Sequence, residues 1–180
     1  MRMQQTLQRI LAFTVISIFA FSSSASFAGG SEIALPGDSV YPESLSAASD
    51  STLYVGSLAA GGVWRVNPKE GTVEQWIKPG AFGTRSLLGV LVDEKANLLW
   101  VCSNDFSSAG IPGPNPVEGS FVKGFDLTTG EGKVSAKLPG NATICNDMAV
   151  APDGSLFVTN SLAPQILRLK GQRSAGSMGG

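Results

Sequence analysis

The sequence of 180 residues contains no histidine. This absence excludes Ser-His-Asp and Cys-His nucleophilic catalysis, zinc sites built on imidazole, and proton transfer by a histidine side chain. Any chemistry carried by this chain must therefore use carboxylates, amides, hydroxyls, backbone groups or a hard metal ion.

Charged residues are also scarce, at 15% of the chain, whereas glycine is abundant with 22 residues. Few charges and many glycines favour a β-rich globular fold over a helical bundle, whose surface needs many Glu, Lys and Arg residues. The sequence contains no basic run, and its formal net charge is −1. Nucleic acid is therefore not an expected partner.

The first 28 residues have the pattern of a secretory signal peptide. Arg2 and Arg9 precede a run of twelve mostly apolar residues, and Ser26 and Ala28 occupy the small-residue positions of a cleavage site. The alternative is an N-terminal membrane anchor, but twelve helical residues reach only about 18 Å, well short of a hydrocarbon core of about 30 Å. We therefore predict an exported protein, periplasmic or secreted, that begins near residue 29 and has no membrane span after cleavage.

Two cysteines, Cys102 and Cys145, remain in the exported chain. An oxidising compartment permits a disulfide between them, and the alternative is two small buried thiols. No Cys-x-x-Cys pair or metal-type spacing is present. The sequence leaves both interpretations open.

The chain contains three similar repeats. Short apolar segments begin at Leu53, Leu99 and Leu156, and each combines aromatic with β-branched residues, which is typical of a buried strand. Turn-forming residues and further strand-like segments flank each of them. The spacing increases from 46 to 57 residues because thirteen extra residues lie between the second and third strands of the second repeat. Four antiparallel strands in a unit of about 45 residues form the blade of a β-propeller.

We therefore predict an all-β fold, a β-propeller of four-stranded antiparallel blades with about three blades in residues 29–170, followed by a flexible tail at residues 171–180. A helical repeat is the alternative, but the Asp153-Gly154 turn and the alternation of Val63 with Arg65 contradict a period of 3.6 residues. The third repeat has no convincing fourth strand. Since closed propellers have four to eight blades, we expect either a truncated product of a longer gene, which is favoured, or self-association that closes the ring.

The segment from Cys145 to Ser161 resembles a blade of the SMP-30/gluconolactonase/LRE-like superfamily, and Tyr41-Pro42-Glu43-Ser44 is similar to the opening of that family. The resemblance implies the N-terminal half of a six-bladed propeller that hydrolyses lactones, sugar-derived ones among them, or related esters. It also implies one divalent cation, Ca²⁺, Mg²⁺ or Mn²⁺, in the central channel. By the same resemblance, Glu43 is a metal ligand and Asn146 is a metal- or substrate-facing amide. No catalytic residue is assigned, because the family's general base lies in later blades.

Blade geometry predicts that five polar residues approach one end of the channel. Glu43 and Asn146 precede first strands, whereas Asn104, Asp105 and Asn160 begin loops between second and third strands, and both kinds of position open on the same rim. We therefore expect Asn104, Asp105 and Asn160 to face the substrate. The competing interpretations are a solvated rim carboxylate at Glu43 and a backbone-bonded amide at Asn146.

These features lead to two functional hypotheses of different class. The first is an exported, metal-dependent lactone or ester hydrolase that is incomplete and inactive as an isolated chain. The alternative is a non-catalytic periplasmic propeller module that binds a protein or a carbohydrate, with contact residues in the inserted loop at residues 104–120. Carboxylate and amide side chains that converge on the channel would favour the first hypothesis.

Overall fold

The computed structural model describes residues 32–169, and every structural statement below concerns that part of the chain. The predicted signal peptide, residues 1–28, and the predicted tail, residues 171–180, lie outside it. Apart from two 3₁₀ turns, at Ala81–Gly83 and Ser107–Ala109, the regular structure of these residues is entirely β. None of their helical turns has the length and apolar character needed to cross a membrane.

Eleven strands follow one another along the chain. They are β1 (Pro42–Ala47), β2 (Leu53–Ser57), β3 (Val63–Asn67), β4 (Thr72–Ile77), β5 (Ser86–Asp93), β6 (Leu98–Asn104), β7 (Ser120–Asp126), β8 (Gly132–Lys137), β9 (Cys145–Val150), β10 (Leu156–Asn160) and β11 (Gln165–Leu169). Strands β1–β4 form blade 1, β5–β8 form blade 2 and β9–β11 form blade 3, each with its strands in sequence order. The predicted all-β fold, three blades of an open propeller, is therefore confirmed.

Short polar side chains reverse the chain after the first strand of each blade. Asp50 and Asp153 accept hydrogen bonds from the backbone N–H groups two residues on, at 2.8 and 2.9 Å, which is the bond of an Asx turn. Asn97 occupies the corresponding turn of blade 2 and adopts a φ of 53°, a conformation that asparagine tolerates better than most residues. These turns set where β2, β6 and β10 begin.

The first strands of neighbouring blades lie side by side, β1 against β5 and β5 against β9, and the first strands of a propeller line its channel. The side chains of Ser44 and Ser46 in β1 accept hydrogen bonds from the backbone N–H groups of Val90 and Val92 in β5, at 3.2 and 3.0 Å. Because neighbouring side chains of a strand point to opposite faces of its sheet, Leu45 points away from blade 2. Hydroxyl groups thus join blades 1 and 2 along the channel.

Apolar side chains fill the spaces between adjacent blades. One buried cluster, between blades 1 and 2, includes Tyr54 and Leu99, and a second, between blades 2 and 3, includes Trp100 and Leu156. A third cluster covers the opposite side of blade 1, where Ile33 and Leu35 pack against Val40, Val55, Trp64 and Val66. Burial of these side chains is the main force that holds the blades together.

A disulfide joins Cys102 of β6 to Cys145 of β9, with the two Cα atoms 5.1 Å apart. Both cysteines are fully buried in the cluster between blades 2 and 3. Of the two interpretations that the sequence leaves open, the structure therefore contains the bonded form.

Candidate functional site

Each of the three first strands contains one more residue than the facing part of its partner strand. The extra residue is Glu43 in β1, falls at Leu88–Gly89 in β5, and falls at Asn146–Asp147 in β9. A β-bulge of this kind bends the strand and redirects a side chain, and bulges are frequent next to active sites. All three bulges lie near the beginning of their strands and therefore at the same end of the channel.

Glu43 and Asp147 are two carboxylates at these bulges, and both residues are exposed to solvent. Partial burial of the Glu43 carboxyl group, and then the negative charge of Asp147, raise the pKa of Glu43 above its ordinary value. Asp147 is a site residue that the sequence prediction missed, although it follows Asn146 directly. A proton or a cation placed between the two carboxylates would relieve their repulsion.

Asn146 and Asp147 are held in place by side chains at the end of β10 and just beyond it. The Asn146 amide nitrogen donates a hydrogen bond to the Ser161 hydroxyl at 2.7 Å. The backbone N–H of Asp147 donates to the Thr159 hydroxyl at 3.0 Å, and one Asp147 carboxylate oxygen accepts from the backbone N–H of Met148 at 2.8 Å. Blade 3 thus positions one amide and one carboxylate at the channel end, with β5 of blade 2 between them and the first strand that contains Glu43.

Gly89 brings β5 into close contact with β9 at the bulge. A Cβ atom at this position would lie 2.4 Å from the carbonyl oxygen of Asn146 and 3.1 Å from the Cα atom of Asp147. Such an approach of two backbones requires glycine. The contact therefore fixes the position of Asn146 and Asp147 relative to blade 2.

Asn104 and Asn160 are placed differently from the prediction that they face the substrate. Both are buried. The Asn104 amide donates to the carbonyl oxygen of Cys145 and accepts from the N–H of Cys145, both at 2.9 Å. The Asn160 side-chain oxygen accepts from the N–H groups of Ile144 and Leu162, at 3.0 and 3.1 Å. Because these amide atoms are already hydrogen-bonded and shielded from solvent, the two residues fix the start of β9 instead of contacting a ligand.

Asp105 is also placed differently, because it pairs with the buried Arg85. One guanidinium nitrogen of Arg85 lies 2.8 Å from the Asp105 carboxylate, and the guanidinium also donates to the carbonyl oxygens of Val117 and Pro112. Hydrogen bonds from Ser107, and to a smaller extent Arg85, lower the pKa of Asp105. The inserted loop between β6 and β7 is thereby fastened to the connection between β4 and β5.

We expect Arg85→Met to lower the free energy of unfolding by about 3 kcal/mol, because it leaves the Asp105 carboxylate and two loop carbonyl oxygens without their partner. Urea unfolding measures this loss, and limited proteolysis should show new cleavage in the inserted loop. The control is Arg65→Met, which removes a surface ion pair with Glu74 and should cost no more than about 1 kcal/mol. Equal losses in the two variants would contradict the proposed fastening of the loop.

An open groove of about 600 Å³ lies beside the inserted loop. Its walls are mostly apolar and consist of residues 58–60 of blade 1 and residues 110–114 of the loop, with Tyr41 at one side. Tyr41 is exposed and adopts a φ of 36°. Since Tyr41 directly precedes β1, the groove opens at the same end of the channel as the bulges.

The bulges offer a partial set of ligands for a hard cation. Among residues 32–169, no group of three or more Asp, Glu, Cys or His side chains is arranged to hold a metal ion. Glu43, Asp147 and the side-chain oxygen of Asn146 supply hard oxygen donors, the type that Ca²⁺, Mg²⁺ and Mn²⁺ prefer. The donor chemistry therefore fits such a cation, but three ligands are fewer than the six to eight that Ca²⁺ typically takes.

Comparisons with known proteins show the fold. No family model matches the sequence, and no curated protein matches it significantly. A crystal structure from Thermus thermophilus, described provisionally as an oxidoreductase (glucose dehydrogenase), is similar with a TM-score of 0.50 and 16% sequence identity. The match covers 75% of this chain and 45% of that chain, so the chain spans less than half the length of its neighbour. At this identity the similarity concerns the propeller-type fold alone.

Proposed function

We propose that this chain belongs to an exported propeller protein that binds a divalent cation and a sugar-derived lactone or related ester at one end of its channel. The observation that carries the proposal is that three β-bulges lie near the beginning of the first strands, and that Glu43 and Asp147 occupy two of them close enough for the charge of Asp147 to raise the pKa of Glu43. The resemblance to SMP-30/gluconolactonase-like hydrolases supplies the reaction class.

Each site residue has a separate task in this proposal. Glu43 and Asp147 would each supply carboxylate oxygens to the cation, and Asn146, oriented by Ser161, would offer its side-chain oxygen to the cation or to a ligand hydroxyl. A bound divalent cation supplies polarisation of the ester carbonyl group. The apolar groove beside Tyr41 accommodates the less polar face of the ligand. We assign no general base to this chain, and we expect the chain by itself not to turn over lactones.

The proposal predicts that Glu43→Gln weakens cation binding. We expect Mn²⁺ to bind the wild-type chain with a dissociation constant of about 1 mM or weaker, because the oxygen set is small. Loss of one of two carboxylates should weaken this binding about tenfold, which corresponds to about 1.4 kcal/mol. Titration of Mn²⁺ followed by electron paramagnetic resonance measures the effect. The control variant is Glu118→Gln, an exposed carboxylate in the inserted loop, and it should bind as the wild type does.

The pH dependence of Mn²⁺ binding provides a further test of the metal role of Glu43. Since the pKa of Glu43 is raised in the free protein, a proton competes with the cation at higher pH than it would at an ordinary glutamate. Mn²⁺ affinity should therefore increase as the pH rises through the pKa of Glu43, and this increase should be smaller in Glu43→Gln. Unchanged Mn²⁺ affinity in Glu43→Gln would refute the metal role and leave Glu43 as a solvated rim carboxylate.

A non-catalytic binding module is the second candidate, and the open groove of about 600 Å³ favours it. In that case a carbohydrate or a protein segment would contact Tyr41 and residues 110–114 without any cation. Binding of such a ligand should then be lost in Tyr41→Ala and unaffected by a chelator. The hydrolase-type site makes the opposite prediction for the chelator.

A further inference from the structure

Strand pairing identifies equivalent positions on the three blades. We call the side of a blade that faces the following blade its forward face, and the opposite side its back face. Each third strand has one residue on the forward face that pairs with the fourth residue of the apolar segment in its repeat. This position is equivalent in the three blades. These residues are Val63, Val122 and Ile166.

The three forward positions differ sharply in exposure. Val63 is 0% exposed and Val122 is 2% exposed, because the following blade covers each of them, whereas Ile166 is 72% exposed. The neighbouring aromatic residue follows the same trend, since Tyr54 and Trp100 are buried and Phe157 is only half-buried. The forward face of blade 3 thus has the side chains of a contact between blades, but no further blade within residues 32–169 covers it.

The back faces show the complementary pattern at the other end of the row of blades. Leu45, Val90 and Met148 are equivalent, because each pairs with the valine of its repeat's apolar segment. Val90 is 6% exposed and Met148 is 8% exposed, whereas Leu45 is 61% exposed. At this position the back face of blade 1 is therefore not covered by any blade of the part of the chain that the structure describes.

The two uncovered positions are the two halves of one recurring contact. Val63 and Val90 belong to the same buried cluster between blades 1 and 2, and Val122 and Met148 belong to the same cluster between blades 2 and 3. Ile166 is equivalent to Val63, and Leu45 is equivalent to Val90. A forward face of blade 3 placed on a back face of blade 1 would therefore repeat a contact that the fold already makes twice.

We propose that two copies of this chain associate head to tail, with blade 3 of each copy on blade 1 of the other, and so form a closed ring of six blades. One two-fold axis relates the two contacts, which are identical and leave neither face open. Closure covers the exposed Leu45 and Ile166 and removes the open ends of the row of blades. The inference does not depend on the proposed function, although closure would bring two Glu43–Asp147 pairs into one channel.

The segment before β1 limits where the second copy docks. Ile33 and Leu35 already cover the outer part of the back face of blade 1, where they pack with Val55 and Trp64. Leu45, on the channel side of the same face, remains uncovered. The partner blade therefore contacts the channel side of blade 1 together with the outer surface of this covering segment.

The test combines two single variants and their mixture. Sedimentation velocity of the purified wild-type chain should give the mass of two chains. Leu45→Lys and Ile166→Asp should each weaken self-association at least tenfold, because each places a charge in both contacts. An equimolar mixture of the two variants should restore the dimer, since one contact is then unchanged and the other faces the introduced lysine with the introduced aspartate. Leu162→Asp, an exposed leucine in the turn between β10 and β11, is the matched control and should remain dimeric.

Far-UV circular dichroism and the urea midpoint of each variant establish that it is folded before its mass is interpreted. A folded wild-type chain that stays monomeric would overturn the proposal and indicate that another blade, from a longer chain, covers Ile166. A dimer that only Ile166→Asp disrupts, and that mixing does not restore, would also overturn it, because that result describes a contact between two copies of blade 3.

Discussion

Removal of both cysteines, by Cys102→Ala together with Cys145→Ala, is expected to lower the free energy of unfolding by about 4 kcal/mol. The disulfide joins residues that are 43 positions apart. It therefore closes a large loop in the unfolded chain and lowers the conformational entropy of the unfolded state. In the folded state it links β6 of blade 2 to β9 of blade 3, where both sulfur atoms are buried. The loss is expected to fall mainly on blade 3, which has three strands instead of four among residues 32–169.

Two measurements distinguish the stability that the disulfide bond contributes from the stability that the packing of the cysteine side chains contributes. The intact mass of exported protein under non-reducing conditions should be lower by two hydrogen atoms than after reduction. Urea unfolding of the wild-type chain with reductant should then show most of the loss seen in the double variant, because reduction breaks the bond and leaves both sulfur atoms in place. If reductant has no effect on the urea midpoint, the bond does not carry the stability assigned to it here.

Hydrogen exchange should show which contacts between blades 2 and 3 persist without the disulfide. Asn104 still binds the backbone of Cys145 through two hydrogen bonds, and these do not involve the cysteine side chain. We therefore expect the amide of residue 145 to remain protected in the double variant, whereas amides of β11, at the open edge of blade 3, should exchange faster. The stability of blade 3 is thus divided between a covalent bond and a buried amide.

The strands were predictable because their determinants are local. Leu53-Tyr54-Val55 and the equivalent segments combine strong β-propensity with turn residues on both sides, and the second strands β2, β6 and β10 lie on these three segments. The thirteen-residue insertion was also visible as a change in spacing.

The candidate site was only partly predictable, because its geometry depends on contacts between distant residues. Glu43 and Asp147 lie more than one hundred positions apart in the sequence, and the bulges at which they lie depend on register shifts of a single residue. Such a shift leaves no mark on the apolar pattern. Asn104 illustrates the same limit, since a polar residue at the end of a strand can point to the channel or to the neighbouring backbone, and composition does not distinguish the two.

Gly89→Ala adds one methyl group, and we expect it to disturb the candidate site more than the addition of a methyl group at any other position would. The new Cβ atom would lie 2.4 Å from the carbonyl oxygen of Asn146, and that oxygen belongs to a backbone that cannot rotate aside as a side chain does. Either β5 or β9 must therefore move, at a cost of about 3 kcal/mol in the free energy of unfolding. The movement would also displace Asp147 from Glu43, so that the pKa of Glu43 should fall towards its ordinary value and Mn²⁺ binding should weaken.

Gly71→Ala is the control that separates this contact from the general cost of replacing a glycine. Gly71 has a φ of 66°, and a Cβ atom added there would have no other atom within 4 Å, so its replacement introduces backbone strain of about 1 kcal/mol without a clash. Gly89 has no positive φ of this kind, so its replacement introduces a clash without that strain. Urea unfolding and Mn²⁺ titration of both variants should therefore show a larger loss of stability in Gly89→Ala, and a loss of cation binding in that variant alone. Equal behaviour of the two variants would mean that blades 2 and 3 can shift freely at the channel end, and the position of Asp147 opposite Glu43 would then not depend on the close approach of β5 and β9.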